Sequence, residues 1–181
     1  MSQLTILTAD RFKELFPQIT AQIELTRLRH YIEEAEYQYV KEKITDTLYI
    51  DLLDYLCSED KSPFPNEYKT LLNGGVFTKT TCGLAEKRIF KGLYSAIAYY
   101  AYAKMIMRNE ENVTRFGFTM KKDDEYSSHV ELKAKLAAQS ESLTIADIYL
   151  QDCITYIKVN NFPKYTKTGA FKNRMKLTVY D

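Results

Sequence analysis

A chain of 181 residues suffices for one domain with extensions and buries a core without disulfides or metals. With 45% hydrophobic and 27% charged residues it has a globular composition, and a net charge of +1 excludes a polyanion binder acting through bulk charge. The charge is uneven: Glu24 to Asp60 is acidic, whereas Lys158 to Tyr180 holds six Lys or Arg and no acid. Fifteen tyrosines and no tryptophan suit half-buried positions, at the edge of the chain's own core or at interfaces with other molecules. Cys57, Cys82 and Cys153 are odd in number and widely spaced, which speaks against a disulfide framework or a zinc site. The opening MSQLTILTADRF lacks a basic stretch followed by an apolar run, so no signal peptide is expected, and no apolar stretch reaches about 18 residues. These features place the chain in a reducing cytosol, or in something assembled there.

In chain order, Thr8 caps a short helix through Phe16 that Pro17 ends, and Thr20 caps a longer one. From Ile23, the residues Leu28, Ile32, Ala35 and Tyr39 recur at the helical period, while Glu33, Glu34, Lys41 and Glu42 read as a solvated face. Thr45 or Asp46 restarts a helix with Leu48, Leu52 and Leu56 inward, and CSEDKSPFPN is a loop. Ser62-Pro63 reads as the start of a short helix closed by Asn73-Gly74-Gly75. The period then changes, and residues 76–90 read as a β-hairpin with its turn near Cys82-Gly83.

GLYSAIAYYAYAKMIMRN is apolar nearly all round and should be the central helix, with Leu93, Ile97, Ala101 and Met105 on one face. Asn109 to Tyr126 reads as a long loop with a short extended piece at 116–120. Ser127 or Ser128 caps the last long helix, which carries Leu143, Ala146, Leu150, Ile154 and Ile157 and ends at about Val159. The expected fold is mainly α, a bundle of about four to five helices over residues 1–159 with a small hairpin insertion. Residues 160–181 form an extended basic C-terminal arm, whose MKLTVY alternates as a strand that could join a neighbour's sheet.

Chemistry is sparse. No phosphate-binding loop, dinucleotide fingerprint, nucleophile elbow or zinc-protease motif occurs. Asn73-Gly74-Gly75 follows a helix and reads as a helix end rather than a phosphate cradle. His30 with Glu33 and Glu34 has the spacing of a metal site, but ordinary helix pairing is the preferred reading. His129 is expected at an exposed helix start, and the run Lys121 to Glu125 as a solvated loop. No catalytic residue, cofactor or metal is therefore assigned. In the arm, Phe162, Tyr165, Phe171 and Tyr180 alternate with Lys167, Lys172, Arg174 and Lys176. These eight residues are the candidates for docking on another protein, because aromatic anchors carry interface energy.

The segment YIEEAEYQYVKEKITDTLYIDLLDYL, with its break before Leu48-Tyr49-Ile50-Asp51-Leu52, resembles the opening of the head–tail connector (adaptor ring) proteins of tailed bacteriophages. YKTLLNGG followed by FKGLYSAIAYYAYAKMI looks like the version of that family found in phages of gut bacteria, and TRFGFTMKKDDEYSS is similar to its loop before the last helix. The resemblance covers roughly residues 20–165 and rests on packing patterns. It implies a non-enzymatic virion protein made in the host cytoplasm and placed in the neck at the head–tail junction. There it would form a homo-oligomeric ring, a dodecamer in the usual family form, between the portal protein and a further neck or tail protein. DNA would pass through the channel without sequence-specific binding, and no membrane is involved. The family's C-terminal segment commonly docks on the portal; Asn160–Asp181 corresponds to it. The alternative is a small helical DNA-binding or regulatory protein, which would need a basic recognition helix where these are acidic, mixed or apolar.

Overall fold

A computed structural model describes residues 5–17, 24–81, 84–108, 111–114, 117–120, 132–162 and 164–165. The fold is mainly helical with an antiparallel hairpin. Helix α1 spans Ala9–Leu15, and its cap is the expected one, the Thr8 hydroxyl accepting from the Arg11 amide at 3.2 Å. The expected cap Thr20 lies outside the described residues. Helix α2 (Leu25–Ala35) passes into a π-helical turn (Glu36–Val40) and then α3 (Lys41–Ile44). The stripe of Leu28, Ile32 and Ala35 is buried and Tyr39 half-buried, as the period requires.

Helix α4 (Asp46–Cys57) restarts behind Thr45, which holds a positive φ of 76° while its hydroxyl accepts from the Leu48 amide at 3.5 Å. Lys61 closes the other end by donating to the carbonyls of Tyr55, Leu56 and Ser58. Ser62-Pro63 does not start a helix. Asp60 accepts from both the amide and the hydroxyl of Ser62 at 2.9 Å, holding a turn, and α5 begins only at Glu67 and runs to Asn73.

Strands β1 (Gly75–Thr81) and β2 (Leu84–Phe90) pair antiparallel, from Gly75 opposite Phe90 to Thr81 opposite Leu84; Cys82-Gly83 lies outside the described residues. At the hairpin's base Gly74 (φ 88°) and Gly92 (φ 79°) pass back to back. A Cβ on Gly92 would sit 2.3 Å from the Gly74 nitrogen, and one on Gly74 would sit 2.5 Å from the Phe90 carbonyl oxygen. Only glycine fits either position.

Helix α6 (Gly92–Arg108) is the central helix as expected: Leu93, Ala96, Ile97, Tyr100, Ala101, Ala103 and Met105 are all buried. It touches α1, α2, α5 and, most extensively, α7 (Leu132–Val159). On α7, Ala146, Leu150, Ile154 and Ile157 face inward, and Leu143 is half-buried. The segment expected as a loop with an extended piece at 116–120 holds a second hairpin, β3 (Glu111–Thr114) against β4 (Gly117–Met120), the second strand falling on that extended piece. Ser127, Ser128, His129 and the run Lys121 to Glu125 lie outside the described residues.

The tyrosine surplus goes largely into the chain's own core. Tyr31, Tyr49, Tyr68, Tyr100 and Tyr156 are buried, and Tyr39 stacks on Tyr100 with centroids 4.6 Å apart. Around Phe16, Phe12 and Tyr102 stack at 5.3 Å and Tyr99 packs edge-on at 5.0 Å, fastening α1 to α6.

Candidate functional site

Three polar constellations and two surfaces, the arm's root and the β1–β2 hairpin, are where the described residues could do something beyond filling a core. The first constellation is sealed. Glu36 lies on the inward stripe of the first rod and is fully buried, its Oε1 accepting from the Leu7 amide at 2.7 Å. Its Oε2 accepts from the Ile6 amide at 2.9 Å and from the Tyr49 hydroxyl at 2.6 Å. Burial pushes the carboxyl up to about 7 despite these three donors, and burial, helped by the nearby Glu36, pushes the Tyr49 hydroxyl up. A raised carboxyl is what a general acid needs, but this one has no opening to solvent. Its work is to tie the entering chain to the π-helical turn. The sequence did carry a signal: Glu36 is the next four-residue step after Leu28 and Ile32.

The second constellation links three helices. Asp147 on α7 accepts from Lys43 of α3 at 2.7 Å and from the Tyr100 hydroxyl of α6 at 2.6 Å. Those bonds, Lys43 first, hold its carboxyl below the usual range.

The third is a cleft of about 490 Å³ between α2 and α6, lined by His30, Glu33, Glu34, Tyr37, Gln38, Lys104 and Arg108. Glu34 takes Arg108 at 2.7 Å, Lys104 at 3.1 Å and His30 at 3.1 Å. Burial pushes Glu34 up, but the hydrogen bonds from Arg108 and Lys104 outweigh it, leaving the carboxylate below its ordinary value. Both cations are thus spent on one internal carboxylate. His30 pairs with Glu34 along the helix as ordinary i,i+4 neighbours do, and no group of three or more possible ligands gathers among the described residues. The cleft is chemically an ion-pair network tying α2 to α6. The Cys153 thiol is buried and pushed up, which makes it inert.

The arm's root is the first of the two surfaces. Of the eight candidate docking residues, Phe162 and Tyr165 are described; Lys167, Phe171, Lys172, Arg174, Lys176 and Tyr180 lie outside the described residues. Phe162 is not offered outward. It is 6% exposed, stacks on Tyr68 at 5.5 Å and meets Tyr156 edge-on at 5.8 Å. Asn161, at φ 49°, turns the chain after α7. Lys164 then reaches the buried Asp51, which also accepts from Tyr68, and the Thr45 hydroxyl donates to the Lys164 carbonyl at 3.4 Å. Tyr165 is half-buried against the core beside a depression of about 450 Å³ shared with Ile157 and Lys158. The chain therefore stays on the body six residues past the expected boundary at 159.

The β1–β2 hairpin is the second surface. Phe77 and Phe90 root it, packing on each other at 5.5 Å and on Tyr156 at 5.6 and 4.8 Å. The opposite face at that root and the hairpin's far end stand in solvent, with Val76 60% and Ile89 77% exposed at the base and Leu84 77% exposed at the far end. Val76 and Ile89 are directly paired across the strands, on the face opposite Phe77 and Phe90. Among the described residues both surfaces offer shape, apolar area and charge.

No curated protein matches this chain, and no solved structure matches it. A family model does match, over residues 44–175, from the end of α3 through α7 and on past the last described residue, Tyr165. That span is well over half of the sequence, and the protein accordingly belongs to DUF6712, a family of unknown function.

Proposed function

We propose that this protein is a structural component of a tailed-phage neck, a ring subunit between portal and tail, rather than an enzyme. The observation that carries the reading is the projecting hairpin. A body whose buried polar atoms are satisfied among the described residues nevertheless holds out Val76, Leu84 and Ile89 to water. Val76 and Ile89, paired across the strands, form one outward apolar face, which is the kind of surface suited to being covered. The sequence resemblance to connector proteins over roughly residues 20–165 supplies the setting. The arm after Tyr165, with Lys167, Phe171, Lys172, Arg174, Lys176 and Tyr180, is the segment assigned to the portal or a neighbouring subunit.

The tyrosine surplus does not support the reading, because the core uses it. The test is localisation: antibody labelling or cryo-electron microscopy of virions that carry this chain. Density at the head–tail junction is the expected result. Absence from the particle, together with tight, salt-sensitive binding of random duplex DNA, would replace this reading with a nucleic-acid-binding one.

A further inference from the structure

The hairpin's outward face and one face of α4 carry the same pattern with opposite charge. Lys87 and Ile89 follow one another at a two-residue step on β2, and Lys91 comes directly after the strand's last residue, Phe90. Ile89 is 77% exposed, Lys87 and Lys91 are exposed, and Val76 lies directly across from Ile89. On α4, Asp46, Ile50 and Asp54 follow one another at four-residue steps. Ile50 is 55% exposed and both aspartates are exposed. A two-residue step along a strand advances about 6.6 Å, and a four-residue step along a helix advances about 6 Å. The cation–apolar step from Lys87 to Ile89, with the second cation Lys91 just past the strand's end, thus has nearly the spacing of the anion–apolar–anion row on α4. Both rows lie in solvent on the same chain.

Neither row is committed elsewhere. Asp46 has only a loose approach from Lys41 at 3.9 Å, and Arg88 on the hairpin is paired with Glu86 at 3.1 Å. A two-stranded hairpin rooted only at its base is a marginal element that gains from being covered.

We propose that the hairpin of one copy docks along α4 of the next, Ile89 and Val76 against Ile50 and Lys87 and Lys91 against Asp54 and Asp46. This rests on the ring reading and gives it a contact. Because the two faces differ, the contact is head-to-tail, the kind that closes into a ring or runs on as a filament. A second copy is the occupant because the charges match residue for residue.

The test is a charge swap on the full chain. Lys87→Glu with Lys91→Glu makes the hairpin acidic; Asp46→Lys with Asp54→Lys makes α4 basic. All four positions are exposed, and circular dichroism confirms that both variants fold. Zero-length carbodiimide coupling, on mixed isotope-labelled and unlabelled chains, reads which lysines and carboxylates meet between copies. Wild type should give inter-chain links from Lys87 or Lys91 to Asp46 or Asp54. Each variant alone should associate about tenfold or more weakly, and mixing the two should restore assembly, since each hairpin then meets an oppositely charged α4.

Wild-type association that neither variant weakens would overturn the hairpin contact while leaving the ring reading standing. Links within one chain from Lys167–Lys176 to Asp46 or Asp54 would also overturn it, with the arm as occupant. Absence of any inter-chain link at high protein concentration would do the same. The swap behaving as expected in a protein absent from virions would retain the contact and sink the neck assignment.

Discussion

Glu36 shows what a single misplaced charge costs and what it achieves. Its carboxylate receives amides from Ile6 and Leu7 on different oxygens, so an amide in its place must turn an NH2 toward one donor. Glu36→Gln should cost about 1–3 kcal/mol in urea unfolding at neutral pH, and Glu36→Ala should cost more by also opening a void. The pH dependence has a definite sign. The folded value, about 7, lies above the ordinary 4.5, so the folded state holds the proton more tightly than the unfolded one. The associated stability is fully present below about pH 4.5 and is lost as pH rises through 7, by roughly 3 kcal/mol at most. Urea midpoints between pH 5 and 8 should fall in wild type and stay flatter in Glu36→Gln. Tyr49, which donates to the same oxygen as Ile6, and the nearby Glu33 are the titratable groups coupled to it.

At the scale of elements, most of the chain was legible because period and punctuation agreed. The central helix α6 followed from an apolar surface nearly all round. The β1–β2 hairpin followed from a change of period bounded by Asn73-Gly74-Gly75. The failures have local causes. The π-helical turn adds one residue to a rod without changing its composition, so no periodicity reports it. Ser62-Pro63 has helix-start chemistry, but Asp60 captures Ser62 first. Of the β3–β4 pair only the stretch of β4 was read as extended; β3, four residues long, is too short for alternation to stand out. Gly74 was read as part of a helix end, yet its second role, letting Gly92 pass it closely, is a long-range contact invisible locally. Gly92→Ala should combine a positive-φ penalty with a backbone clash. A loss of about 2 kcal/mol or more, hence a melting temperature lower by roughly 4–8 °C, is expected in calorimetry. Gly75→Ala, whose Cβ would meet only the Thr70 methyl at 3.1 Å, should change it far less.

For the molecule as a whole, the question is where the body ends and the arm begins. Sequence put the boundary at 159 because helical periodicity stops there, and it classed Phe162 and Tyr165 with the aromatic residues of the arm. Phe162 and Lys164 are instead clamps, one in an aromatic stack with Tyr68, the other on Asp51 beside the strained Thr45. A basic, aromatic stretch without periodicity gives no sign of which of its rings turn inward; that depends on the distant Tyr68 and Asp51. Two truncations separate the parts. A chain ending at Tyr165 keeps every contact seen among the described residues and should unfold within about 0.5 kcal/mol of the full-length protein. A chain ending at Val159 loses the Phe162 stack and the Lys164 pair, and leaves Asp51 buried without its cation. It should lose about 3–5 kcal/mol, the usual cost of deleting a buried phenylalanine, and Phe162→Ala alone should reproduce most of that loss. If the arm is the docking segment, the chain ending at Tyr165 should be as stable as wild type and yet fail to co-sediment with its portal or neck partner. Full co-sedimentation by that truncated chain would move the docking function off the arm and onto the folded body, where the hairpin is the surface left to carry it.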